Sequence, residues 1–456
     1  DLVLSYASLS DTLDLERGIF AAGGGQKPFA CPSSEPGTCS AETPGMVVAG
    51  NNFTCSMAVI SGRQAFRCWG TNANRELGDN TASANSNIPV DGTYAQWFQT
   101  FGGAPAPAQG MRMIAAGQSH ACMIGTRNSD TSGWAGEGVY CWGDNSDGQL
   151  GYGTPGTDGA YPDLLDDYNG NQSIPDIVDP LGIAAGAYHT CAIKPDRTVM
   201  CWGDNSQGQL GDNNSPTDSV NPVDVMDTGS NPLDDVWSLA LGKEHSCALV
   251  VSDDGAGNVT GQSVYCWGNG TGQATIVNDS EGAPLDDVTE IAAGNDFTCA
   301  LRANRTVYCW GSNSEVTTDA NPTFQSSLTG IASISASHNH LCALTVDRGV
   351  NCLGSNSAGQ LGDGSNTDSL SAVDAIKIND AAVSNAVAVT AGYNHSCALL
   401  ANGRTLCWGG NASGQLGSGD NNATTKAVEV NDGNSAVNFR VRTCSAGYTL
   451  SVPATE

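Results

Sequence analysis

Basic residues are scarce in this chain of 456 residues, because 18 Lys and Arg stand against 47 Asp and Glu and the formal net charge is −29. A negative field of this size repels phosphate backbones and anionic lipid headgroups. We therefore expect neither nucleic acid nor a bare membrane surface as a partner, while basic proteins and divalent cations stay open. The plainer alternative is that scattered acidic turns keep an extracellular protein soluble.

Long apolar runs are also missing, since no stretch approaches the roughly 20 apolar residues of a membrane-spanning helix. The chain begins at Asp1, with neither Met nor the apolar segment of a signal peptide, and we expect a mature product whose export signal has been removed. The sequence contains no nucleophile elbow, zinc-protease helix motif or phosphate loop. We therefore expect that the protein is not an enzyme.

Glycine is abundant, with 57 residues, and only 14% of the chain is charged, as is typical of β-rich proteins with many turns. The tripeptide Cys-Trp-Gly occurs six times, and a seventh copy carries Leu353 in place of Trp. A second cysteine precedes each copy by 10, 13 or 19 positions. The seven pairs are Cys55 and Cys68, Cys122 and Cys141, Cys191 and Cys201, Cys247 and Cys266, Cys299 and Cys309, Cys342 and Cys352, and Cys397 and Cys407.

Hairpin-turn residues such as Asp196-Arg197 lie between the paired cysteines, flanked by alternating apolar residues. This spacing suits cross-strand disulfides and not zinc, whose ligands cluster more tightly. Closing a ten-residue loop contributes roughly 3 kcal/mol in the chain-entropy model. Seven such bonds indicate an oxidising compartment, so we expect a secreted, extracellular or cell-surface protein. We also expect that it requires no cofactor.

A glycine-rich turn follows several of the Cys-Trp-Gly copies, most clearly at Asn145 to Gly151 and Asn205 to Gly211. Together these motifs resemble the repeat of the regulator of chromosome condensation, from about Met46 to Val430. The resemblance implies an all-β, seven-bladed β-propeller with four-stranded blades. We expect the propeller to occupy residues 46–435, between strand-like N-terminal and C-terminal arms at residues 1–45 and 436–456.

Histidine occupies one repeated position, two residues before the first cysteine of the pair, in five of the seven repeats. These residues are His120, His189, His245, His340 and His395. Phe53 and Phe297 fill the same position in the other two repeats. Because phenylalanine replaces it, we expect the imidazole to be packed and hydrogen-bonded to a neighbouring blade, without a catalytic or metal-binding role. His338 is the one histidine outside the pattern.

Two further groups of side chains are candidates for binding. The acidic pairs Asp166-Asp167, Asp234-Asp235 and Asp286-Asp287 offer calcium ligands, although none has the spacing of a known calcium loop. An insertion between the first two repeats contains Trp97, Phe98 and Phe101, which form either a capping hydrophobic cluster or a partner-contact patch.

The arms contain strand-like runs, including Leu2 to Tyr6 and Val437 to Val441, and three cysteines, Cys31, Cys39 and Cys444. A local Cys31–Cys39 bond would leave Cys444 free, whereas a bond from either to Cys444 would tie the arms together. We expect the arms to be pinned either on the propeller itself, one of them completing a blade, or on a neighbouring copy. Strand addition between copies in a head-to-tail arrangement would generate a filament.

Relatives of this repeat differ widely in function. The founding member exchanges nucleotide on a small GTPase at chromatin, and others are secreted propellers that inhibit enzymes through the loops of one face. The acidic charge and the cysteine pairs argue against the chromatin role. Two hypotheses stay open: an extracellular, self-assembling structural protein whose partners are copies of itself, and a secreted module that binds or inhibits another extracellular protein.

Non-reducing peptide mapping checks the register of the repeats. We expect all seven within-repeat pairs to be recovered as disulfide-linked peptides. Two or more scrambled pairs would contradict the repeat boundaries.

Overall fold

The computed structural model describes residues 41–44, 46–60, 63–81, 84–92, 111–127, 136–152, 154–165, 177–253, 259–433, 435–437 and 439–443. Its strands form seven four-stranded antiparallel sheets and one two-stranded sheet. Within each four-stranded sheet the strands are adjacent in chain order, so every blade is built from one continuous segment. Among these residues, no helix is long and apolar enough to cross a membrane.

The N-terminal strand β1 (Ala41–Pro44) precedes the propeller. Blade 1 contains β2 (Val47–Ala49), β3 (Phe53–Ile60), β4 (Arg63–Gly70) and β5 (Ser86–Asp91). Blade 2 contains β6 (Met113–Ala116), β7 (His120–Arg127), β8 (Gly136–Gly143) and β9 (Gly159–Leu164). Blade 3 contains β10 (Gly182–Ala185), β11 (His189–Ile193), β12 (Val199–Gly203) and β13 (Ser219–Asp224).

Blade 4 contains β14 (Val236–Leu241), β15 (His245–Asp253), β16 (Val259–Gly268) and β17 (Thr271–Ile276). Blade 5 contains β18 (Val288–Ala293), β19 (Phe297–Arg302), β20 (Thr306–Gly311) and β21 (Thr323–Thr329). Blade 6 contains β22 (Ile331–Ser337), β23 (His340–Thr345), β24 (Val350–Gly354) and β25 (Ser369–Asp374). Blade 7 contains β26 (Ala386–Ala391), β27 (His395–Leu400), β28 (Thr405–Gly409) and β29 (Thr424–Glu429), and β30 (Arg440–Thr443) follows it.

Each predicted cysteine pair is a disulfide between the second and third strands of its blade. The two cysteines lie directly opposite each other in the strand register, as Cys191 and Cys201 do in blade 3, with Cα atoms 4.0 Å apart. All but Cys266 are buried. The disulfides therefore cross-link the middle of each blade, where two apolar strands face the neighbouring blades.

The glycine-rich turn places a Leu into the interface between blades. In blade 3, the Asn205 side-chain oxygen accepts a hydrogen bond from the Leu210 amide, and both residues are buried. Gly211 closes the turn with φ +70°, and a Cβ there would lie 2.9 Å from Trp267 Cδ1 of blade 4. Glycine is required at this position because the next blade's indole packs directly on the backbone.

A shared hydrogen-bond network joins adjacent blades. Between blades 2 and 3, the Thr190 hydroxyl and the Trp202 indole N–H both donate to the Gln149 carbonyl, each at 2.9 Å. Since the hydroxyl donates there, its oxygen accepts from His120 Nε2, which is 2.9 Å away. The prediction that the repeated histidine bonds to a neighbouring blade is confirmed.

The same network recurs at three other junctions. His189, Ser246, Gln209 and Trp267 form it between blades 3 and 4. His340, Ser396, Gln360 and Trp408 form it between blades 6 and 7. His395, Thr54, Gln415 and Trp69 form it between blades 7 and 1, which closes the ring.

The two phenylalanine exceptions face blades that lack the hydroxyl. Phe53 of blade 1 precedes blade 2, where Ala121 replaces the Ser or Thr, and Phe297 of blade 5 precedes blade 6, where Leu341 does. These four residues are buried and belong to two hydrophobic clusters. The chain therefore pairs polar with polar and apolar with apolar at every junction.

The described parts of the two arms pair with each other. Strands β1 and β30 are antiparallel, with Ala41 opposite Thr443, and we name this two-stranded sheet the clasp. Just before β30, Phe439 is buried and stacks on Trp69 of blade 1, with ring centroids 5.5 Å apart. The clasp thus lies beside the junction at which the ring closes.

Replacing His189 by Phe should destabilise the protein by about 1–3 kcal/mol, because the Ser246 oxygen loses its donor in a buried site. Adding Ser246→Ala should recover part of this loss, since the double variant reproduces the natural Phe53 and Ala121 pair. Denaturant unfolding of the single and double variants measures this coupling. Additive effects of the two substitutions on stability would contradict the pairing of polar with polar and apolar with apolar residues at each junction. The reverse control is Phe297→His, which places a polar ring against Leu341.

Candidate functional site

A cavity of about 270 Å³ opens at the centre of the ring, where the innermost strands of all seven blades end. In six blades a glycine directly follows the inner strand, and the residue after this glycine lines the cavity. A Cβ on Gly186 would lie 2.5 Å from the His189 ring and 2.7 Å from the Gly242 carbonyl of the next blade. Glycine at this point lets the inner turns of adjacent blades approach each other closely.

The six residues that follow these glycines, together with His338 at the equivalent position of blade 6, form a ring around the cavity, which we name the rim. The rim consists of Asn51, Gln118, Ala187, Lys243, Asn295, His338 and Tyr393. Several rim amides donate to a carbonyl of the following blade, for example Asn295 N to His338 O at 3.0 Å and Tyr393 N to Gly50 O at 3.2 Å. The rim backbone is therefore fixed by hydrogen bonds that run around the channel.

The charged and aromatic side chains of the rim come from blades 4, 6 and 7. Lys243 Nζ lies 2.7 Å from Glu244 Oε1, and this bond raises the pKa of the lysine, with Asp296 adding to the effect. The His338 ring packs on the Tyr393 ring with centroids 3.7 Å apart. Burial lowers the pKa of His338, which favours the uncharged form of its ring.

His338 also has an unusual backbone conformation, with φ +34°, where a residue with a Cβ is disfavoured. Nothing in the sequence pattern singled it out beyond its being off the repeated position. The structure therefore adds a site residue that the motif analysis had set aside.

The five repeated histidines lie in the blade interfaces and not in the cavity. Burial lowers the pKa of His245 to about 4 and that of the other four to about 3. Unfolding lets them take up protons below their ordinary pKa of about 6.5. They therefore contribute stability that is lost as the pH falls below 6.5.

The other predicted candidates are dispersed. Asp286 pairs with Arg302, whose Nη2 lies 2.5 Å from its carboxylate, and Asp234 is exposed on the connector before blade 4. In the described ranges, no three His, Cys, Asp or Glu side chains are grouped so that they could hold a metal ion. Asp166, Asp167, Trp97, Phe98 and Phe101 lie outside the described residues, as do Cys31, Cys39 and Cys444.

Sequence reasoning also missed Glu290, which is buried between blades 5 and 6. Its two carboxyl oxygens lie 3.0 Å from Ser333 Oγ and 3.2 Å from the Ile334 amide nitrogen. Burial raises its pKa to about 8. This polar link occupies the junction where Phe297 and Leu341 replace the histidine network.

Comparison with known proteins places this architecture in a family. A family model described as the RCC1-like domain matches residues 68–453. The chain belongs to the RCC1-like domain family.

This RCC1-like chain is 25% identical to the ultraviolet-B receptor UVR8 of Arabidopsis thaliana over 312 residues, which is 68% of the chain and 55% of UVR8. It is 30% identical to human alsin over 116 residues, which is 25% of the chain and 6% of alsin. The chain thus spans only part of these relatives. Among solved structures, Prp20p of Saccharomyces cerevisiae has a TM-score of 0.60 at 18% identity, with 90% of this chain and 93% of that chain covered, which shows the shared fold.

Replacing Glu290 by Gln tests the protonation of this RCC1-like propeller's interior. Because its pKa is raised from 4.5 to about 8, Glu290 contributes stability at low pH that is lost as the pH rises from 4.5 through 8. An amide can donate to Ser333 and accept from Ile334 at any pH. We expect Glu290→Gln to match the parent's melting temperature at pH 5 and to exceed it by several degrees at pH 9. The exposed Glu281→Gln variant is the control, and equal gaps at both pH values would show that Glu290 is ionised in the folded protein.

Proposed function

We propose that this RCC1-like propeller is an extracellular structural protein that assembles with copies of itself through its terminal segments. Protein contact is the expected mode of action for the fold, since structures of the yeast relative Prp20 include one bound to Kap60. The observation that carries the proposal is the clasp, in which both ends of the propeller are joined.

The two terminal segments leave the clasp at the same end. Ala41, at the start of β1, lies opposite Thr443, at the end of β30. The residues before position 41 and after position 443 therefore continue from the same end of the two-stranded sheet. The arms leave the ring at one point and would dock on a different surface of the next copy, which is a head-to-tail contact. Such a contact generates a filament unless the copies close into a ring.

The extracellular setting is supported by the seven disulfides, one in every blade. Reducing compartments do not maintain such bonds, and secreted proteins depend on them for persistence. The net charge of −29 also disfavours non-specific association between copies. Specific segments are then needed to hold the copies together.

We propose further that the protein is not an enzyme. Its five repeated histidines are committed to the blade interfaces, bonded to Ser or Thr of the next blade. Their low pKa values make them poor bases near pH 7, since a general base works best with a pKa near the operating pH.

A second candidate function is a secreted module that binds or inhibits another protein. The varied residues of the rim favour it, because they differ from blade to blade while the scaffold around them repeats. Such a module would be a soluble monomer that captures its target, whereas the structural protein would be recovered as large assemblies.

Deleting residues 1–22 tests the self-assembly. This deletion leaves the clasp and all seven blades intact, so we expect a folded monomer in place of the large assemblies of the full chain. Negative-stain imaging and light scattering of the native secreted material provide the measurement. The control is Ile378→Ser, which removes an exposed apolar side chain from the ring surface and should leave assembly unchanged.

Two outcomes would contradict the proposal. Assemblies of unchanged size from the truncated chain would show that the N-terminal arm is not the connector. A full-length chain that is monomeric at every concentration would favour the binding module.

A further inference from the structure

We propose that the rim binds a single neutral saccharide unit, held at the mouth of the central channel. This inference does not depend on self-assembly. It concerns the cavity of about 270 Å³ that is lined by the inner turns of all seven blades.

The rim is the place where the repeats differ while their surroundings stay the same. The residue before the rim position is Gly in six of seven repeats, and the residue two positions after it is His or Phe in all seven. The rim position itself carries six different residue types, given above. Packing between blades therefore determines the glycine before the rim position and the His or Phe after it, but not the rim residue itself. The rim side chains are thus available for binding.

The rim is also held rigid before any ligand arrives. Asn51 N donates to Gln118 O, and Lys243 N donates to Asn295 O, so the backbones of these turns are tied to the following blade. His338 is held at φ +34° and packed against Tyr393. A site fixed in advance loses little conformational entropy when it binds a small ligand.

The charges at the rim favour a neutral ligand. Lys243 is the only Lys, Arg, Asp or Glu among the seven rim residues. Glu244 neutralises it across 2.7 Å, so the rim carries little net charge. An uncharged ligand is the class that this arrangement does not oppose.

Hydrogen-bonding groups and an aromatic surface indicate a polyhydroxyl ligand. The rim carries three side chains with amide groups, Asn51, Gln118 and Asn295, which can both donate to and accept from ligand hydroxyls. Gln118, Asn295 and Lys243 offer donors around the same cavity. The exposed Tyr393 ring gives an apolar face against which the C–H groups of a sugar ring can lie.

The size of the cavity limits the ligand. Pockets for drug-sized molecules usually start at about 300 Å³. A cavity of about 270 Å³ accepts one sugar ring, such as the end of a glycan chain, but not a longer oligosaccharide.

Saturation-transfer NMR and calorimetric titration of the full chain with glucose, galactose, mannose and N-acetylglucosamine test the proposal. We expect at least one of them to bind, with affinity roughly tenfold weaker in Tyr393→Ala and in Lys243→Met, a loss typical of one good contact. Tyr308→Ala and Lys377→Met make the same chemical changes away from the channel and should bind as the parent does. Melting temperatures confirm that every variant is folded.

Three results would overturn the assignment. The first is that none of the four sugars binds. The second is that a sugar binds, but the Tyr393 and Lys243 variants bind it as well as the parent does. The third is that the cavity binds acetate or tetramethylammonium in preference to the sugars. The first two remove the rim as a saccharide site, and the third replaces the neutral ligand by an ion.

Discussion

One carbonyl group receives two hydrogen bonds from the next blade at four of the seven junctions, and the ring depends on this contact. The Gln carbonyl of the glycine-rich turn accepts from a Trp indole and from a Ser or Thr hydroxyl, and the hydroxyl in turn accepts from a histidine of the first blade. Each partner is buried, so losing one leaves the others unsatisfied at a cost of about 1–3 kcal/mol. The network therefore fixes both the spacing and the angle between blades.

Ring closure follows from the same contact. Every blade, including the first and the last, is built from one continuous segment of the chain. Blade 7 meets blade 1 through His395, Thr54, Gln415 and Trp69, as interior blades meet each other. The terminal strands β1 and β30 therefore belong to no blade. They form the clasp instead, and this leaves the outer parts of both arms for the assembly that we propose.

Much of this architecture could be predicted from the sequence because the repeats carry it in short motifs. The cysteine pairs, the histidine position and the count of blades all follow from spacing. The outermost strand of each blade was hidden within the variable connectors, since strands such as Ser219–Asp224 are half exposed and lack an apolar period. The partner of each histidine was also hidden, because it lies in the next repeat, 53 to 70 residues away at four junctions and 341 away at the closing one.

The candidate site was the least predictable part for the opposite reason. Rim residues obey no repeat, and only the closed ring brings Lys243, His338 and Tyr393 to one cavity from three different blades. The role of Glu290 as a buried polar link is likewise evident only from its contact with Ser333 of the next blade. Motif analysis finds what recurs in the sequence, whereas a binding site on a repeat scaffold is built from what does not recur.

Hydrogen exchange of the native protein, followed by mass spectrometry, tests the central role of the inter-blade contact most directly. The account predicts that inner-strand amides at the four junctions with the full network, including the closing junction of blades 7 and 1, exchange slowest. The junctions of blades 4 and 5 and of blades 5 and 6, where blade 6 carries Leu353 in place of Trp, should exchange faster. A closing junction that opens first, or equal protection at all seven junctions, would contradict it.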